Sequence, residues 1–189
     1  MMRFRRLVTA ALAALMLVLF ALGATAAGKP VLITSVGQSA EISMIKTLAV
    51  RGKIPFEEDA LAKAEVLTGS DKQSRYSAVV AVVGGSAKGL GAAGINKDQE
   101  TDRAKALLER AKSLKLNIVI MHVGGEERRG DLSDAFIRAV VPYANQVILV
   151  EAGDKDGLFE QVLRGKSVPI VKVTRISETL EPLKKALGM

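Results

Sequence analysis

Apolar residues along this chain fall into two rhythms that alternate from residue 31 onward. Continuous apolar runs of strand length occur at VLITS (31–35), SAVVAVVGG (77–85), NIVIMHV (117–123), QVILVEA (146–152) and VPIVKV (168–173). Their β-branched content and lack of polar alternation predict strands buried on both faces. KIPFEE (53–58) predicts a short edge strand, because Pro55 has no amide hydrogen for a central ladder. Between the runs, apolar positions recur every three or four residues. The segment 39–52 places Ile42, Ile45, Leu48 and Ala49 on one stripe, with Gly52 as a stop. DALAKAEVL (59–67) predicts a short helix. Asn96, followed three residues later by Gln99, predicts a capping box. The helix it opens carries Ala104, Leu107, Leu108, Ala111 and Leu114. Further helices are predicted over 132–144, 156–165 and 177–187, the last with Pro182 near its start.

Strand and helix thus alternate six times with short connections. That order predicts a three-layer αβα fold with a mostly parallel six-stranded sheet. Right-handed crossovers leave few topologies, and a flavodoxin-like or Rossmann-like strand order of 2-1-3-4-5-6 fits best. The strands starting near Val31 and Ser77 then flank the switch point, where such sheets bind ligands beyond their carboxyl ends.

The first residues stand apart from this pattern. Arg3, Arg5 and Arg6 precede an apolar run from Leu7 to about Ala24, which exits through Ala24-Thr25-Ala26. That order reads as a secretory signal peptide over 1–26, leaving a single α/β domain over 27–189. Export to the periplasm or the extracellular space follows. An uncleaved leader is the competing reading, and the leader is then the only contact with the membrane. It holds three of the 27 basic residues and none of the 20 acidic ones, so the chain from residue 27 carries +4 rather than +7. This mild charge, with two Tyr and five Phe, speaks against nucleic acid as a partner. The chain has no Cys and a single His, His122. Disulfides, thiolate catalysis and the common His/Cys zinc sites are excluded, and no metal is expected.

Two loops at the expected ligand edge resemble each other. Gly84-Gly85-Ser86-Ala87-Lys88-Gly89 follows one strand and Gly124-Gly125-Glu126-Glu127-Arg128-Arg129-Gly130 follows the next. Glycines let backbone N–H groups approach a ligand, and Lys and Arg add positive charge. Side by side they predict an anion pocket in which 84–94 is a loop and Lys88 faces the ligand. The contacts are the amides of Gly85 and Ser86, with Lys88, His122 and Arg128, joined by Gln38 and Ser39 from the first strand's loop. Adjacent arginines rarely both point inward, so one of Arg128 and Arg129 is expected in solvent or in an ion pair. In the competing reading the glycines only turn the chain and the bases face water.

Gly89, Gly91 and Gly94 satisfy G-x-G-x-x-G, but several residues separate them from the strand and INKD separates them from the helix. A dinucleotide site needs both junctions to be direct, so no cofactor is expected. Gly37-Gln38-Ser39-Ala40 resembles a nucleophile elbow whose last glycine is replaced by Glu41. Ser39 is read first as a helix N-cap. Ser39 and His122 are also the weak catalytic candidates, as nucleophile and base of a small hydrolase or transferase.

KPVLITSVGQSAE, VVGGSAKGLGAAGI, MHVGGEERRGDLSDAFI and KDGLFEQV together resemble an uncharacterised family of short exported bacterial proteins, described only as a domain of unknown function. The resemblance covers nearly all of the chain after the leader. It implies a signal peptide and one α/β domain, and brings no substrate or catalytic residues with it. The function expected from the residues is an extracytoplasmic binding domain for a small anionic ligand, a carboxylate or phosphate. Such a domain serves transport or sensing beside a membrane transporter or sensor. An enzyme at the same edge, or a protein-interaction module without a ligand, are the alternatives.

Overall fold

The computed structural model describes residues 28–189, so the expected leader over 1–26 lies outside the described residues. In chain order the elements are β1 (Val31–Val36), α1 (Glu41–Arg51), β2 (Phe56–Glu58), β3 (Ala78–Val83), α2 (Ala87–Ala92), α3 (Lys97–Ser113), β4 (Asn117–His122), α4 (Asp131–Val140), β5 (Gln146–Val150), α5 (Leu158–Val162), β6 (Ile170–Val173) and α6 (Leu180–Ala186). The strands form one six-stranded, all-parallel sheet in the order β2-β1-β3-β4-β5-β6. This is the order expected from the alternation of the two rhythms.

Period-two geometry divides each strand between two cores. Val79, Ala81 and Val83 of β3, with Ile118 and Ile120 of β4, meet Leu107 and Leu108 of α3, Phe136 and Ile137 of α4, and Phe159 of α5. Val80, Val82, Val119 and Met121 face the other way, toward Ile42, Ile45, Leu48 and Ala49 of α1 and Leu183 of α6. Both faces are therefore covered, which is why the central strands read as unbroken apolar runs. The outer strands β2 and β6 are mostly half-buried or exposed, and Pro55 lies just outside β2. The capping box forms as expected: Asn96 Oδ1 accepts from the Gln99 amide at 2.9 Å, and Gln99 Oε1 accepts from the Asn96 amide at 3.0 Å. Pro182 falls in the first turn of α6, where its missing N–H costs nothing.

Five expectations about local structure are corrected. The helix expected over 59–67 shrinks to a 3₁₀ turn at Ala64–Leu67. Asp59 Oδ1 accepts from the Leu61 amide at 3.0 Å, a local turn that competes with a helix start. The helix expected over 156–165 is confined to α5, and the one over 177–187 begins as a 3₁₀ turn at Ile176–Thr179. Ser39 is not the N-cap of α1. Ala40 takes that place without a side-chain bond, and the Ser39 hydroxyl bonds the Glu41 carboxylate instead. The glycine stretch 84–94 is not a plain loop, because its middle forms α2. Ser86 caps this helix by accepting from the Gly89 amide at 3.0 Å. Gly89 is needed because a Cβ there would collide with the backbone carbonyl of Gln38. Gly94, at φ +67, closes the segment.

Candidate functional site

At the carboxyl edge, the turn after β1 runs through two left-handed residues, Gly37 at φ +94 and Gln38 at φ +57. A buried ion pair on α3 holds it there. Glu100 Oε1 accepts from the Gly37 amide and from Gln38 Nε2, both at 2.9 Å. Arg103 Nε donates to Glu100 Oε2 at 2.7 Å, while Nη1 reaches the Ala62 carbonyl and Nη2 the Ser35 carbonyl, each at 2.6 Å. Gln38 Nε2 also donates to the Ala60 carbonyl at 3.0 Å. The Gln38 amide group is thus committed to the turn. Glu100 and Arg103 escaped the reading of the sequence, although a signal was present: both lie on the α3 stripe that continues through Ala104, Leu107 and Leu108.

Ser39 and Glu41 sit over the crevice between β1, β3 and β4. Both are buried, and Glu41 Oε1 has no hydrogen-bond partner among the described residues. A Cβ on Gly84 would collide with Glu41 Oε2, and one on Gly124 with Oε1. These two glycines therefore make room for a carboxylate belonging to the protein itself. His122, fully buried at the end of β4, lies with Nδ1 at 2.9 Å from the Val83 carbonyl. A carbonyl can only accept, so Nδ1 carries the proton and Nε2 is left as a buried lone pair without a partner among the described residues. Burial pushes the His122 imidazole below its usual range, with the Glu41 charge opposing the shift. Ser39 gives its hydroxyl to Glu41 rather than to His122, so the two catalytic candidates are not hydrogen-bonded to each other.

The anion donors expected from the sequence are either engaged within the protein or exposed. The Gly85 amide donates to Ser133 Oγ at 2.9 Å and the Ser86 amide to the Gly37 carbonyl at 2.8 Å. Lys88 projects from α2 as an exposed residue, and Arg128 is exposed too, its Cβ and Cγ lying against Gly124. Of the two adjacent arginines, Arg129 turns inward, its side chain 10% exposed.

Arg129 forms the floor of a cleft of about 210 Å³ between the segments that follow β4 and β5, lined also by Glu126, Asp134, Gly153, Lys155 and Asp156. None of the seven ligand contacts expected from the sequence lines it. All five guanidinium N–H groups are engaged. Nε and Nη2 hold Asp134 at 2.7 and 3.1 Å, Nη1 and Nη2 hold the two oxygens of Asp156 at 3.0 Å each, and Nη1 also reaches the Gly153 carbonyl at 2.7 Å. Hydrogen bonding to Asp134 raises the Arg129 pKa further, and Arg129 in turn holds both carboxyls below their usual range. At the mouth, exposed Lys155 pairs with exposed Glu126. Beside the cleft, Lys172 bridges buried Asp154 at 2.8 Å and Glu160 at 2.6 Å.

Fold and site together define an all-parallel, three-layer α/β domain whose carboxyl edge carries a small polar cleft floored by one guanidinium. The chain belongs to the family described as Domain of unknown function (DUF6305), which matches residues 28–187. No curated protein and no solved structure matches it.

Proposed function

We propose that this protein is an exported, single-domain binder of a small carboxylic acid, serving transport or sensing outside the cytoplasm. The binding place is the cleft between the β4 and β5 segments rather than the glycine stretch after β3. One observation carries the reading: Arg129, nine-tenths buried, lines a cleft on the ligand edge of a parallel sheet and holds on its outer edge the two oxygens of a mostly exposed carboxyl, Asp156. A volume of about 210 Å³ lies below the roughly 300 Å³ at which drug-sized sites begin, which suits a small acid. Calorimetric titration of the purified protein with acetate, malonate, succinate and inorganic phosphate tests it. Arg129→Lys keeps the charge but loses the fork, and weakens a bound carboxylate by about 1–3 kcal/mol while the protein stays folded. Equal affinity in wild type and variant overturns the assignment.

A second reading, a small hydrolase or transferase at the same edge, draws on the orphaned Nε2 of His122 and Oε1 of Glu41. Its test is His122→Gln. A general base makes turnover fall by about 10² or more with little change in stability. A structural histidine leaves no turnover to lose.

A further inference from the structure

Resting on the reading above, we infer that Asp156 is a built-in occupant of the ligand's place on Arg129, and that a planar carboxylate binds by exchanging with it. The guanidinium has two bidentate edges and both are filled, but by unlike partners. Asp134, on the edge shared by Nε and Nη2, has a side chain 28% exposed and sits in the first turn of α4. Asp156, on the edge shared by Nη1 and Nη2, is 60% exposed and stands in the turn between β5 and α5. Two parallel bonds of 3.0 Å to the two oxygens of one carboxyl are the fork geometry that a free carboxylate makes with arginine. The edge is therefore shaped for a bidentate anion, and its present occupant is a carboxyl.

The exchange conserves what burial demands. One carboxylate replaces another, so Arg129 is never left uncompensated, and the bonds to Asp134 and the Gly153 carbonyl hold the guanidinium in position throughout. The residue that leaves has somewhere to go. Gly157 follows it at φ +67, a backbone conformation open to glycine, and the Leu158 amide already lies 3.4 Å from Asp156 Oδ1. An internal carboxylate on a short tether competes at high effective concentration, so the observed affinity is the intrinsic one multiplied by the fraction of time the edge is free. If Asp156 holds the edge nine-tenths of the time, its removal tightens binding about tenfold.

The experiment is calorimetric titration of malonate and acetate into the wild type, Asp156→Asn and Asp131→Asn. Asp131 carries the same charge two residues from Arg129 and makes no bond to its guanidinium. The inference expects about tenfold tighter carboxylate binding in Asp156→Asn, and twofold or less in Asp131→Asn. Equal gains in the two variants reduce the effect to charge at a distance and overturn it. Wild-type binding that Arg129→Lys weakens but Asp156→Asn does not improve leaves the binding reading standing and removes the inference. Absence of binding in every variant overturns both.

Discussion

Arg103 and Arg129 are buried to the same degree, with side chains 9% and 10% exposed, yet their partners differ in exposure. Arg103 pairs with Glu100, whose side chain is fully buried and three residues away on the same helix, and spends further donors on the Ser35 and Ala62 carbonyls. No partner of Arg103 can leave without exposing buried charge or opening the turn after β1. Arg129 has one sheltered partner on α4 and one outer partner, Asp156, on a separate and exposed turn. Burial of an arginine therefore says little by itself about ligand binding. On the proposal above, the exposure of its partners separates a clamp from an exchangeable seat.

The comparison can be broken at several points. Removing one member of the inner pair has the largest effect: Glu100→Ala leaves a buried guanidinium uncompensated and costs about 3–5 kcal/mol, read from urea unfolding. Asp156→Ala, at an exposed carboxylate, costs under about 1 kcal/mol in the same assay. Equal losses would erase the distinction. Gly89→Ala comes next. The new Cβ meets the Gln38 carbonyl, which the Glu100 network holds in place, so a loss of about 1–3 kcal/mol or more is expected.

Acid separates buried His122 from the carboxyls of the Arg129 cleft. Burial lowers the His122 pKa, so the unfolded chain takes up a proton that the folded chain refuses. The neutral histidine's contribution is complete above about pH 6.5 and declines as pH falls below it. Asp134 and Asp156 are lowered by Arg129, so their contribution is complete above about pH 4 and is lost as pH falls through their depressed values. Both are partly exposed, and each is worth less than about 1 kcal/mol. Urea midpoints followed against pH should show the two windows, with His122→Gln removing only the upper one. Lys88→Ala is the smallest change, within about 0.5 kcal/mol, since Lys88 is exposed and makes no ion pair among the described residues.

The frame of the fold was legible because its signals are local or periodic. β1, β3, β4 and β5 announce themselves as unbroken apolar runs, and the Asn96–Gln99 box spans only four residues. The glycine stretch was misread because the reason for Gly89 lies fifty residues upstream, at the Gln38 carbonyl. The same distance problem decides between Arg128 and Arg129. Nothing in Glu-Glu-Arg-Arg-Gly distinguishes them, and the choice is made by Asp134 on α4 and Asp156 beyond β5. Glu100 and Arg103 were discoverable as charges interrupting an apolar stripe, but their partners in the turn after β1 were not.

Carbon-detected NMR of side-chain carboxyls during a malonate titration tests the central distinction most directly. The account predicts that the Asp156 resonance moves to that of a free carboxylate as malonate saturates the protein, while the Glu100 resonance stays fixed. Saturation with malonate that leaves Asp156 in place, or that shifts Glu100 equally, would contradict it.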